Sequence, residues 1–581
     1  MSESEMRTKR FGAASVLMLI VVVAAALRMQ TIAARPIWFD EAFSWTLVSE
    51  FELPEIVART AQDVHPPLYY LLLWLWTSVF GDSLFAMRSL SALLGTAVVA
   101  LAWLVGRQLG SVSRAFDTDG IATDHSDDST ETPPDRSPLS AGSHSTLTGF
   151  AAASLVASSA FQIHWSGEIR MYALLSLLLL VATHYAWKLT QPSPQKREWA
   201  AFSFACAAMM YTHNYGLFSV VGVCAFVLLE RTLQHRQQRS NQSGQQLKNA
   251  FVSIAMAGLL YLPWFPTLLA QRAQVADDYW IQPFSWRSVA LAWDHLVLIE
   301  NRYGPDQAVR GAIVAIGVAL LIAALQIRGR RADRLCLWLT VTPVALAVAI
   351  SLRGSSIISE RLFVLAHLAA LLAMARAIGR WLDLSTGTLL TVLLIGNGLF
   401  VHFRYQAQLN LAEHQGVRAA IEVVESDKTS DRPVIVLQPC IYFSVRYHAT
   451  DRDRIRLYTS PENIRHYTGQ PILQQDEFQP LQQLHDLAAD SIWILTSTGF
   501  SLGYSEPFVP AEWKRLASQS FDAPYAFEGQ VQLLKYVRTT ASVESDPDMR
   551  DAKQIFVPEQ TLTTVDATNP SFADSERSTL P

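Results

Sequence analysis

The sequence predicts an α-helical polytopic membrane protein with a small α/β domain after its last span. Three observations carry that reading. Half of the 581 residues are hydrophobic and only 17% are charged, with a mean hydropathy of +0.18, a profile far more apolar than that of a soluble chain of this length. Apolar runs near the ~20 residues needed to cross a bilayer recur from Phe11 to His402 and then stop. Beyond them, Gly416 to Val537 alternates helical and strand patterns.

Taken in order, the spans fall near Phe11 to Thr31, Phe85 to Val105, Leu147 to Ile163, Met171 to Trp187, Trp199 to Met210, Gly216 to Leu229, Phe251 to Leu269, Ala308 to Ile327, Leu335 to Ser351, Leu362 to Ala375 and Thr386 to Val401. That makes about eleven. No small-residue cleavage site follows the first run, so it reads as a retained anchor. Basic residues collect in alternate loops: Arg7, Lys9 and Arg10; Lys196 and Arg197; Arg231, Arg236, Arg239 and Lys248; Arg328, Arg330, Arg331 and Arg334; Arg376 and Arg380. The positive-inside bias then places the N-terminus in the cytoplasm and the C-terminal domain outside a cytoplasmic or inner membrane.

This parity depends on "HPPLYYLLLWLWTSVFGD", His65 to Asp82. Leu68 to Phe80 would be only ~20 Å long as a helix, too short for the hydrocarbon, so it reads as interfacial or re-entrant, started by Pro66 and Pro67 and stopped by Gly81. Residues 110–146 are rich in Ser, Thr, Asp and Pro, a composition expected of a disordered cytoplasmic loop, and 541–581 of a disordered tail. A membrane domain over 1–405 and an extracytoplasmic α/β domain over 410–540 complete the division. In the latter, "GVRAAIEVVES", "LQQLHDLAAD" and "AEWKRLASQ" read as helices, and "PVIVLQP", "SIWILTST" and "VQLLKYV" as strands of a partly parallel sheet.

Several function classes drop out. Cys206, Cys224 and Cys336 lie in apolar runs and Cys440 stands alone, which leaves neither a disulfide framework nor a CxxC zinc pattern. A net charge of −5 with basic residues only in short clusters argues against nucleic-acid binding. No P-loop or Rossmann glycine fingerprint supplies a nucleotide motor. "DRD" at Asp451 to Asp453 mimics a nucleotide-sugar DxD, but on the face where nucleotide sugars are not supplied.

With the parity set, the unusual polar clusters share one face: Asp40 and Glu41 in "WFDEAFSW", Asp63 with His65, His164, Glu168, Arg170 and Tyr172 in "HWSGEIRMY", His213 in "YTHNY", and Glu360 with Arg361 in "ISERL". Lone ionisable groups at membrane depth are costly, whereas a shared cavity holds opposite charges together. Each cluster also has a plain reading. Asp40 could cap "EAFSW", His65 could precede a Pro-started helix, and His164 with Glu168 could be a local i,i+4 pair. Tyr211, His213 and Tyr215 could form an aromatic belt, and Arg361 could snorkel.

"FDEAFS" and "DVHPPLYYLLLW" together resemble the first outer loop of the GT-C membrane glycosyltransferases that use polyprenyl-phosphate sugars, which include protein O-mannosyltransferases and the lipid A aminoarabinose transferase. The likeness covers Ile37 to about Gly110 well, and "EIRMYALL" and "YTHNYGLF" more loosely. It implies a GT-C type fold, a polyprenyl-phosphate sugar donor among membrane lipids, and a lipid, glycan or protein acceptor, with no nucleic acid. By that likeness Asp40 and Glu41 are the catalytic candidates, Asp40 at the position of the catalytic carboxylate and Glu41 beside it; Asp63, His65, Tyr69, His164, Glu168, Arg170, Tyr172, His213 and Arg361 are the candidate substrate-binding set. A divalent cation at Asp40 and Glu41 is an option that some relatives suggest. The reaction expected is inverting transfer to a hydroxyl with Asp40 as general base. The alternative is a secondary transporter or flippase for a glycolipid, which should show paired repeats and broken spans, and none is found.

Overall fold

The computed structural model describes residues 3–30, 32–111, 138–277, 281, 283–290, 292, 330–410, 415–427, 432–459, 464–479, 484–485, 487–499, 509–523 and 529–539. Among them, eight helices are long and apolar enough to cross a membrane. They include α1 (Glu3–Met29), α5 (Leu84–Gly110), α8 (Tyr172–Leu189), α10 (Gly216–Gln238) and α11 (Asn241–Tyr261), which runs on towards α12 (Phe265–Asp277). The other three are α13 (Arg331–Ser351), α14 (Val364–Trp381) with the 3-10 turn before it, and α15 (Leu384–Leu409). Over the expected spans at 147–163 and 199–210 the chain forms α6 (Pro138–Ser158) with α7 (Ala160–Trp165), and α9 (Lys196–Thr212), helices that are not among those eight. The helix α6 starts well ahead of Leu147, inside the stretch expected to be a loop. The expected span at 308–327 lies outside the described residues.

Local chemistry sets these helices. Ser83 caps α5 by accepting from Ala86 N at 3.2 Å, and Asp383 caps α15 by accepting from Ser385 N and Thr386 N at 2.9 and 3.0 Å. The helices α5 and α6 approach so closely that a Cβ on Gly106 would lie 2.7 Å from Ala152 Cβ and 2.9 Å from Thr148 O. At the end of α14 remote from Arg361, Arg376 and Arg380 converge on buried Asp333, and Arg334 forks Glu230 at 2.5 and 2.9 Å. Four arginines that mark the topology in the sequence therefore also tie α10, α13 and α14 together: Arg331, with its Nε 3.5 Å from Glu230, is the fourth.

The first long loop folds into three short helices, α2 (Phe39–Glu50), α3 (Leu53–Gln62) and α4 (Leu68–Phe80). As expected, α4 is one turn-rich segment of 13 residues, stopped by Gly81 at φ +80°. After α15 come α16 (Val417–Ser426), β1 (Val434–Val436), α17 (Pro439–His448), β2 (Ile455–Leu457), β3 (Ser491–Ser497), β4 (Trp513–Ala523) and β5 (Gly529–Arg538). They form one mixed sheet in the order β2-β1-β3-β5-β4. The strand β1 is parallel to β2 and β3, with Val434 opposite Ile455 and Trp493, while β5 runs antiparallel to β3 and β4.

Two expectations change here. "AEWKRLASQ" reads as a helix from its Ala, Glu, Lys, Arg and Leu, yet Trp513–Ala523 is the edge strand β4, because pairing along β5 overrides propensity. "LQQLHDLAAD" falls largely outside the described residues, and its described part is not helical. The helix α17 went unread. It matters because the Phe443 ring packs tilted on Phe39 at 6.0 Å and edge-to-face on Phe43 at 6.4 Å, and Tyr447 packs edge-to-face on Trp45 at 5.0 Å. One hydrophobic core thus joins α2 and α4 to the sheet domain.

Candidate active site

The site begins where the chain leaves α1 and turns into α2. Trp38 is the N-cap of α2 in extended conformation, so Asp40 stands within the first turn and caps nothing. Its Oδ2 accepts from Arg361 Nη1 at 2.6 Å, and Arg170 Nε lies 3.9 Å away. Arg170 Nη1 also donates to the Asp40 carbonyl at 3.3 Å and to the Tyr70 hydroxyl at 3.2 Å. Segments more than three hundred residues apart in sequence thus meet on one carboxylate.

Arginine only donates, so the 3.2 Å contact of Arg170 Nη2 makes His65 Nε2 an acceptor. The His65 proton is then on Nδ1, which donates to Asp63 Oδ2 at 3.0 Å. The rings of His65 and His213 lie 5.2 Å apart, and that of Tyr172 lies 6.2 Å from His213. His213 Nδ1 accepts from Tyr215 N at 3.0 Å, leaving a buried Nε2–H with no hydrogen-bond partner. Asp40, Asp63, His65, Arg170, Tyr172, His213 and Arg361 therefore gather in one place.

Electrostatics follow from that packing. Burial alone would raise the Asp40 carboxyl, but Arg170, Arg361 and His65 outweigh it and hold it below the usual carboxylate range. Burial and Arg170 lower His65, against the pull of Asp63. Burial, His65 and both arginines push His213 well down, so its ring is neutral.

The remaining expected residues lie elsewhere. Glu41, the neighbour of Asp40, is fully buried and forked by Arg88, Nε to Oε1 at 2.8 Å and Nη2 to Oε2 at 2.5 Å. Its Oε1 also accepts from Ile169 N at 2.9 Å. Arg88 spends its other donors on the carbonyls of Ile32, Arg35 and Pro36, at 2.5 to 2.9 Å. This pair ties the loop before α2 to the turn that presents Arg170, and both oxygens of Glu41, a catalytic candidate, are engaged there. Tyr69 is fully buried on Ser91 at 3.2 Å, and Tyr70 rather than Tyr69 reaches Arg170. His164 and Glu168 form their own i,i+4 pair at 3.4 Å, with His164 stacked on Tyr405. Arg88 and Tyr70 escaped the sequence reading, although a lone arginine inside an apolar span already requires a buried acid.

Asp40 and Glu41 do not suit a divalent cation. Each carboxylate is taken by a different guanidinium, and no group of three His, Cys, Asp or Glu among the described residues could hold a metal ion.

No family model matches the chain, and no curated protein matches it. Solved structures do. This is a membrane protein similar in fold to solved GT-C glycosyltransferases: helices of spanning length, three short helices in the first long loop, and a small sheet domain. It is similar to the structure of ArnT from Cupriavidus metallidurans bound to undecaprenyl phosphate, at 13% identity and a TM-score of 0.53 over 89% of this chain and 97% of that one. The apo form of the same ArnT matches at 13% identity with a TM-score of 0.42, over 90% and 98% of the two chains. The Archaeoglobus fulgidus oligosaccharyltransferase matches at 11% identity with a TM-score of 0.43, over 83% and 68%.

Proposed function

We propose that this protein transfers a glycosyl group from a polyprenyl-phosphate-linked sugar to an acceptor hydroxyl of a lipid, glycan or protein. The site lies at the extracytoplasmic face of a cytoplasmic or inner membrane, with the N-terminus inside. One observation carries the reading: a single carboxylate, Asp40, held between Arg170 and Arg361 where α2 meets the start of α14. ArnT, whose fold it shares, was solved with undecaprenyl phosphate bound, and that likeness does not favour the transporter alternative.

The charges suit an inverting displacement. A donor phosphate entering the cluster would take donors from Arg361 and Arg170, the two guanidinium groups that pair with Asp40 among the described residues. Asp40 then loses the attractions that keep it a weak base, so its proton affinity rises only when the donor is present. The acceptor oxygen attacks the anomeric carbon, its proton passes to Asp40, and the sugar–phosphate bond breaks towards a phosphate held by the two guanidinium groups. Neutral His213 offers its Nε2–H, and Tyr70 keeps Arg170 in place.

The test is transfer from labelled polyprenyl-phosphate sugars by purified protein, wild type against Asp40→Asn. Release of no sugar to any acceptor or to water by the wild type would refute the reading.

A further inference from the structure

Inward from Tyr172, between α1, α5, α7, α8 and the start of α14, lies a cavity of about 10 Å³ with a mixed polar and apolar lining, room for a single water-sized group. Arg28, Gln162, Trp165, Ser166, Tyr172 and Ser176 line it. Three of its polar atoms are buried and have no hydrogen-bond partner: Arg28 Nε, Trp165 Nε1 and Ser176 Oγ, on residues 2%, 8% and 2% exposed. Buried polar groups are costly to leave unpaired, and three on the walls of one small space can be satisfied together by a single group placed among them.

Each has a reason to be there. Arg28 directs its Nη atoms onto the carbonyls of Val156 and Ala157 at 3.2 to 3.4 Å, in the last turn of α6, where helix carbonyls lack intrahelical partners. No acidic side chain pairs with it among the described residues, and its Nε is left for the cavity. Gly95 keeps the space open, because a Cβ there would lie 2.4 Å from Ser166 Cβ and 3.1 Å from Arg28 Nε. Ser166 Oγ already donates to Gln162 O at 2.7 Å, so it faces a ligand with lone pairs only.

The wall therefore offers two obligate donors, Arg28 Nε–H and Trp165 Nε1–H, beside hydroxyls able to accept. That set matches one hydroxyl group, which accepts from the first two and donates to a serine. An ammonium group has no lone pair for the donors and meets the Arg28 cation. We propose that this cavity is a specificity pocket for one hydroxyl of the transferred sugar and rejects an amino substituent at that position; the proposal rests on the donor reading above. Tyr172 is the shared wall, lining the cavity while its ring lies 6.2 Å from His213 in the charged cluster.

The test measures equilibrium binding of polyprenyl-phosphate glucose and mannose, and of analogues each lacking one hydroxyl or bearing an amino group in its place, to the detergent-purified full chain. One deoxy analogue should bind roughly tenfold or more weakly than its parent, and the matching amino analogue no better. In Trp165→Phe with Ser176→Ala that discrimination should fall to near unity, while binding of the deoxy analogue stays unchanged. Loss of affinity for parent and deoxy analogue alike would mean a structural role and overturn the proposal, as would an unchanged ratio or tight binding of the amino analogue. Transfer assayed in parallel separates the two readings: selective binding without any transfer refutes the enzyme reading and leaves the pocket standing.

Discussion

At the scale of single residues, Asp40 and Glu41 are neighbours held by different arginines, Arg361 and Arg88. In the proposed reaction Asp40→Asn keeps the side-chain shape but lacks a proton acceptor, so transfer should fall by about 10²- to 10⁴-fold with the thermal midpoint little changed. Glu41→Gln should do the reverse in origin: it strands the fully buried Arg88 cation, costing about 3–5 kcal/mol, read as a lower midpoint in thermal melting and poor yield. The pH response follows from direction. Asp40 titrates below its ordinary ~3.9, so the acid limb of kcat/KM should lie below about pH 4 and that of kcat, with donor bound, above it. His65 and His213 are lowered, so the unfolded chain binds more protons than the folded one once pH drops below about 6.5. Stability should decline on acidification through that point, measured as melting between pH 7.5 and 5.

At the scale of elements, much was legible where one rule dominates. The length of α4, the punctuation by Pro67 and Gly81, and the apolar runs of α5, α10 and α13 all follow from hydrophobic period and breakers. What failed were segments decided by distant partners. Trp513–Ala523 is a strand only because β5 lies beside it, and Tyr70 rather than Tyr69 faces Arg170 because the helical phase of α4 is set by packing on α2 and α5. Asp40, His65, Arg170 and Arg361 could be named from the sequence because charge at a membrane surface is conspicuous. Their pairing could not, since it requires the path of the whole chain. The contact of α2 with α17 yields a prediction at this scale. Arg446 bridges Glu50 at 3.0 Å and also bonds Glu477, while Phe443 packs on Phe39 and Phe43. Phe443→Ala should cost about 3–5 kcal/mol of local packing and speed hydrogen exchange in α2 more than in α5.

At the scale of the whole molecule, the sheet domain and the membrane helices share one core through α2 and α4. The topology makes a plain demand, that the Asp40 and Ser355 loops face the same side of the bilayer. Single cysteines placed in each should react together with an impermeant maleimide in intact cells. Opposite labelling would contradict the 2.6 Å contact of Arg361 with Asp40.

The shared core also has a consequence in time. The helix bearing Asp40 is synthesised hundreds of residues ahead of its aromatic cover, Phe443 and Tyr447. A nascent chain halted before Val434 should hold α2 in a protease-sensitive state, and the Asp40 carboxylate would settle only once Phe443 and Tyr447 have been made.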